Sequence, residues 1–368
     1  MVGGAPVNRD AVHFSSLAGF LRDEAAVPVP PADNVYVRFA AYPLLGSVLA
    51  PLVGSYVGFV AINVLFWAGA SVATYALALS RLRSSIGALL AAVLVASAPA
   101  FAALAGQPLP YVTSYSLFAL GLWLFDHVRL FERNTSSRVA LAGGVLAGLS
   151  FLVYDLYMLP AFVVVYGLLR RMPLTNLAVV LIAMLLPRLA WSGYWQLAQL
   201  PSYSHNESHP AEALAAWLQL LGSGSVLGIA RQTAALAIHG VLNVGAAFLF
   251  WPIALAAYEL WHQRRSSQLA WYISVLVAGF VPAAFMLSTW PHIPRWYAYG
   301  FPAVYILAAG AALRIAASLS PRRSTQTVLA VALVAPALVL ANLDVVGYTK
   351  PMELLLFQPA DWSYLWSP

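Results

Sequence analysis

An all-α, polytopic membrane helix bundle is what the sequence predicts, and three observations predict it. Of the 368 residues, 61% are hydrophobic and 9% are charged, where a soluble domain carries about 25% charged residues. The mean hydropathy is +0.78. The apolar residues gather into ten runs, at 56–79, 86–104, 112–127, 139–153, 158–169, 174–191, 236–261, 268–288, 298–317 and 326–345. About 20 apolar residues at roughly 1.5 Å each cross a hydrocarbon layer. An ordinary soluble domain is excluded, and about ten transmembrane spans are expected. The absence of cysteine excludes disulfides, thiolate metal sites and cysteine nucleophiles.

A net charge of +6 would suit a nucleic-acid partner only if the basic residues clustered. They stand singly or in pairs between apolar runs, as topology signals do, so no nucleic-acid partner is expected. Residues 1–55 read as an external loop segment with amphipathic helices. With that segment outside, twelve of the nineteen basic residues face inward: Arg81, Arg83, Arg129, Arg133, Arg138, Arg170, Arg171, Arg264, Arg265, Arg314, Arg322 and Arg323. Ten of the thirteen acids face outward. The positive-inside rule is satisfied.

The runs 139–153 and 158–169 decide the topology. Fused into one helix kinked at Pro160, they would flip every later loop and leave 9 basic residues inside against 10 outside. Two short spans turning at Tyr154-Asp155-Leu156-Tyr157 are therefore predicted. Bare helix ends below the membrane surface cannot face lipid and border a water-filled cavity. Asp155 would line that cavity, toward an acceptor or a metal ion; the alternative is a turn residue bonded to its own backbone. Gly144 and Gly148 read as a helix-packing motif.

The bundle over 56–345 is expected to carry one large external loop, 192–235, with an interfacial helix in which Leu214, Trp217, Leu218 and Leu221 share a face. Residues 346–368, with Trp362, Tyr364 and Trp366, form an external tail. His205, His209 and His292 lie outside; the first two fall in a polar loop beside Pro210, which disfavours a metal site there. An external N-terminus of this size needs export, yet Met1–Asn8 has no basic or apolar leader. Either it is translocated unaided or a first span stands upstream.

Four segments carry a family resemblance. Asp10-Ala-Val-His13-Phe14-Ser-Ser-Leu-Ala18 resembles the first external loop of GT-C fold glycosyltransferases, integral membrane enzymes that use polyprenyl-phosphate sugars. Arg38-Phe-Ala-Ala-Tyr42-Pro43-Leu44-Leu45 is similar to their Arg and Pro-Leu segment before the second span. Gly144 to Arg171 resembles their middle pair of short spans. Arg295-Trp296-Tyr297-Ala-Tyr299-Gly-Phe-Pro302 resembles their Arg-Tyr approach to a late span. In the family a first span precedes the acidic loop, and the resemblance implies that such a span is missing from this chain.

The resemblance implies a site. Asp10 would be the catalytic base that takes the acceptor proton; the competing reading is a helix N-cap in a surface loop. Arg38 and Arg295 would hold the donor phosphate, whose oxygens a guanidinium fork matches; the competing reading is snorkelling to headgroups. Asp155 and His292 are possible cavity or metal-associated residues. A divalent Mg or Mn ion could stand beside Asp10, although no ligand spacing demands it. The implied partners are membrane lipids, a polyprenyl-phosphate sugar donor and a lipid or glycan acceptor. The implied place is a bacterial inner membrane, with the active side outward. A transporter or lipid flippase, and a noncatalytic GT-C relative, are the alternatives. Transporters commonly place ionisable residues near the midplane, and none stands well inside an apolar run here.

Overall fold

The computed structural model describes residues 41–343 apart from 108, 133–134, 155–156, 199–214, 216–217 and 287–293. In chain order the helices are α1 (Ala41–Val53), α2 (Ser55–Leu82), α3 (Ser85–Ala96), α4 (Pro99–Ala105), α5 (Tyr111–His127), α6 (Ser137–Gly148, prolonged by a 3₁₀ turn to Leu152), α7 (Met158–Leu169), α8 (Leu174–Leu197), α9 (Val226–Phe248), α10 (Trp251–His262), α11 (Leu269–Met286), α12 (Pro294–Tyr297), α13 (Phe301–Leu319) and α14 (Arg323–Leu343). The described residues contain no strand.

Every apolar run holds a helix, and the boundaries differ where backbone chemistry intervenes. The run 86–104 is broken at Ser97 and Ala98, because Pro99 has no N–H to continue the ladder and opens α4 instead. The run 236–261 is two helices. Leu249 and Phe250 both take left-handed φ, 62° and 52°, Phe250 lies against Gly245, and Pro252 starts α10. α9 begins at Val226, within the stretch read as loop. Of the expected interfacial helix, residues 218–222 are helical, and most of the rest lies outside the described residues. Ser84, Ser136 and Ser225 cap α3, α6 and α9 by accepting from the N–H of Gly87, Val139 and Gly228.

Among the described residues four helices are long and apolar enough to cross a membrane unaided: Tyr56–Leu82, Leu174–Leu197, Ala298–Leu319 and Arg323–Leu340. The remaining runs are shorter or interrupted. α7, for example, rises about 18 Å against a hydrocarbon layer of about 30 Å.

The helices form two compact units, one of residues up to 70 with 104–206, the other of Ser71–Ala103 with the chain from Glu207 onward. In the first unit, α5 is the central helix, buried from Tyr111 to Ser116. Gly143 on α6 faces Val128 and Leu130 just beyond α5, and Tyr154 after α6 meets Tyr111 at the start of α5, so α6 returns antiparallel to α5. Phe162 and Tyr166 on α7 meet Phe125 and Phe131, so α7 runs parallel to it. The chain therefore reverses between Leu152 and Met158, as two short segments require and one kinked helix does not.

In the second unit α13 is the core. Each residue from Phe301 to Ala312 is buried, the mark of a helix apolar all round and covered on all sides. α3 crosses it antiparallel, with Gly87 against Leu313. α10 lies parallel to it, with Phe248, the last residue of α9, against Tyr305 at one end and Glu259 of α10 against Arg314 at the other. Outward, Leu65, Val72, Leu174, Leu189 and Leu197 are exposed, apolar surface of the kind hydrocarbon covers.

Candidate functional site

In the first unit the flanks of two predicted site residues meet. Tyr42, four positions after Arg38, is fully buried against Phe59, with ring centroids 5.0 Å apart. Val153, two positions before Asp155, belongs to the same cluster with Ile62, and Tyr154 packs against it. Tyr154 meets Tyr111 edge to face at 5.2 Å. Segments more than 100 residues apart in sequence thus converge at the Tyr111 end of α5.

A buried polar device ties down the neighbouring loop. Asn63, deep in the apolar run of α2, donates from Nδ2 to the carbonyls of Gln107 at 2.7 Å and Leu109 at 3.1 Å. Its Oδ1 accepts from the Thr113 hydroxyl at 3.0 Å. In an apolar surround each of these groups would be costly unpaired, so the amide holds the loop between α4 and α5 against α2. Tyr56 adds a hydroxyl bond to the Gly106 carbonyl at 2.7 Å. The result is an aromatic cluster that holds Tyr42, near Arg38 in sequence, and Val153 and Tyr154, next to Asp155 in sequence.

In the second unit the backbone of Arg295 lies in α12, which runs through a 3₁₀ turn, Ala298–Gly300, into α13. The residues behind it are locked. Tyr297 and Tyr299 are buried, Tyr297 packs on Phe280 at 5.8 Å, and a Cβ at Gly279 would stand 2.7 Å from the Gly300 nitrogen. This close crossing of α11 with the turn fixes the backbone position of Arg295. The Tyr297 hydroxyl is buried and meets no hydrogen-bond partner among the described residues.

Asp10, Arg38, Asp155 and His292, and the side chain of Arg295, lie outside the described residues. The described residues bring no three His, Asp or Glu side chains together for a metal ion.

Two polar centres escaped the sequence reading. One is Asn63 with Thr113; its only signal is an amide inside an apolar run. The other is Glu259, 2% exposed on its side chain, whose carboxylate accepts from Arg314 Nε at 2.7 Å and Nη2 at 2.8 Å. Gln263 donates to the same carboxylate at 2.8 Å. Both charges read as inward loop residues, and nothing in the spacing pairs residues 55 positions apart.

No family profile matches the sequence, and no curated protein matches it. Two solved structures match the fold. ArnT from Cupriavidus metallidurans in the apo state is 17% identical, with a TM-score of 0.57 over 92% of this chain and 60% of that one. ArnT bound to undecaprenyl phosphate is 18% identical, with a TM-score of 0.56 over 92% of this chain and 61% of that one. The chain has the GT-C fold. It spans about 60% of the length of the ArnT structures it matches. Its composition and its four long apolar helices among the described residues mark it as a membrane protein with transmembrane helices, and the antiparallel helices α6 and α7 occupy the Gly144 to Arg171 segment that carries the sequence resemblance.

Proposed function

We propose that this protein transfers a sugar from a polyprenyl-phosphate donor to a hydroxyl of a lipid or glycan acceptor, at the outer face of a bacterial inner membrane. The observation that carries the reading is the match over 92% of the chain to a fold solved with undecaprenyl phosphate bound. The meeting of the Arg38 and Asp155 flanks in one cluster supports it.

The chemistry follows from the residues proposed. Asp10 takes the acceptor hydroxyl proton as the oxygen attacks the anomeric carbon. The bond from that carbon to the phosphate oxygen breaks on the opposite face, with inversion, and polyprenyl phosphate departs with the electron pair. Arg38 and Arg295 hold the phosphate, whose charge grows as the bond breaks. Asp155 and His292 are proposed at the cavity wall, toward the acceptor or a divalent ion.

The test uses the purified full chain. Binding of undecaprenyl phosphate is measured for wild type, Arg295→Lys and Arg295→Ala, with protein yield as the folding control. Lysine offers a point charge in place of a bidentate fork, so Arg295→Lys should bind markedly less tightly than wild type. Equal affinities at equal yield would assign Arg295 to anchoring. Release of undecaprenyl phosphate from an undecaprenyl-phosphate sugar should fall about 10²- to 10⁴-fold in Asp10→Asn, with donor affinity kept. Movement of intact lipid across vesicles without release would favour a flippase; binding without turnover by wild type would favour a noncatalytic relative.

A further inference from the structure

At the other end of α5 from the Tyr111 cluster, about 25 Å along the helix, the first unit has a cleft of about 530 Å³ lined by Phe131, Glu132, Leu169, Arg170 and Arg171. We propose that this cleft binds the phosphodiester headgroup of an anionic phospholipid. The volume suits a headgroup-sized ligand. Arg170 and Arg171 are exposed and make no side-chain hydrogen bond or ion pair with the described residues, so two guanidinium forks stand ready for phosphate oxygens. The one acid in the lining, Glu132, is turned to Arg129 at 3.8 Å, which offsets its charge. The floor is apolar: Phe131 is buried and meets Tyr166 at 4.8 Å.

The border of the cleft separates a lipid from a free phosphate. Leu168, Leu169 and Leu174 are 54, 52 and 71% exposed, apolar side chains within three residues of the arginines in sequence. An ion in solution gains nothing from exposed apolar side chains, whereas an acyl chain covers them while its headgroup reaches the guanidiniums. The backbone points the same way. Arg171 has φ +54° and Arg129 φ +53°, the left-handed conformation that favours glycine after a helix. The capping bonds, Met172 N–H to the Gly167 carbonyl at 2.8 Å and Leu130 N–H to the Phe125 carbonyl at 3.0 Å, need only backbone. Arginine at these positions therefore brings charge to this end at a conformational cost that glycine would avoid.

The test is lipid retention by the full chain in detergent, read by native mass spectrometry. The probes are phosphatidylglycerol, phosphatidylcholine, inorganic phosphate and undecaprenyl phosphate. Wild type should retain phosphatidylglycerol over phosphatidylcholine. Arg170→Gln with Arg171→Gln should weaken that retention about thirtyfold, from roughly fivefold per arginine near a membrane surface. Arg322→Gln with Arg323→Gln should leave it unchanged. Because Arg171→Gln keeps the strained φ, Arg170→Gln with Arg171→Gly is the second variant; it should fold at least as well and lose the lipid equally. Equal loss from both arginine pairs, no preference over phosphatidylcholine, displacement by inorganic phosphate at the lipid's own concentration, or parallel loss of undecaprenyl phosphate binding would each overturn the proposal.

Discussion

Glu259 and Arg314 differ in how far water reaches them, and that difference sets what each substitution costs. The side chain of Glu259 is 2% exposed and that of Arg314 is 43% exposed. Removing Arg314 strands a buried carboxylate, whose only remaining side-chain donor among the described residues is Gln263. Removing Glu259 leaves a guanidinium that solvent can reclaim. Arg314→Met should therefore destabilise by about 3–5 kcal/mol, and Glu259→Met by about 1 kcal/mol. The double substitution should recover most of the loss, because two apolar side chains leave no stranded charge. The check is the thermal midpoint in detergent, and the reverse order of the single variants would remove the argument. Gly310 contributes too: a Cβ there would stand 3.3 Å from Glu259 Cγ, so the absent side chain makes room for the carboxylate.

Between elements, two glycines bring α6 into backbone contact with α8. A Cβ at Gly144 would stand 2.6 Å from the Ala183 Cβ and 2.7 Å from the Val180 carbonyl oxygen, and at Gly148 it would meet the Met184 backbone. Backbone cannot swing aside as a side-chain tip can. The Gly144 and Gly148 spacing, legible as a packing motif, is here a backbone contact. Gly148→Ala should lower the thermal midpoint by several degrees, an overpacking cost of about 1–3 kcal/mol. Gly143→Ala, whose nearest neighbour would be Leu130 at 3.5 Å, should change it little. Equal effects would mean that helix propensity, not the crossing, governs both. The reversal between α6 and α7 was also legible, because fusing the runs destroys the charge asymmetry. The break at Leu249 and Phe250 was not. Both flanks are apolar, so hydropathy is blind to it, and it depends on Gly245 admitting the Phe250 ring.

For the whole molecule, topology is the testable quantity, and the lack of native cysteine makes labelling clean. Asn206→Cys and Ser363→Cys should react with an impermeant thiol reagent from outside the cell; Ser136→Cys and Ser266→Cys should not. Ser136 caps α6 and follows Thr135, whose carbonyl accepts from Asn176 Nδ2 of α8 at 3.0 Å, so that site also reports the arginine-bearing end of the first unit. Labelling of Asn206→Cys only from the cytoplasm would overturn the topology and the outward site with it.

The sequence by itself determined the class of molecule. Hydrophobic composition, run lengths and the scarcity of charge leave few ways to satisfy a backbone in hydrocarbon other than helices, and short ordered motifs pointed to the GT-C fold. It also determined the reversal at 153–157, since a one-dimensional charge count is enough to orient a helix pair. The tertiary structure alone decided which residues meet. Asn63 with Thr113, Glu259 with Arg314, and the Tyr42, Val153 and Tyr154 cluster join positions dozens of residues apart. Such pairings depend on how helix faces are rotated against each other. Hydropathy is nearly uniform around helices such as α5, most of whose residues are buried, so the sequence carries little from which that rotation can be read.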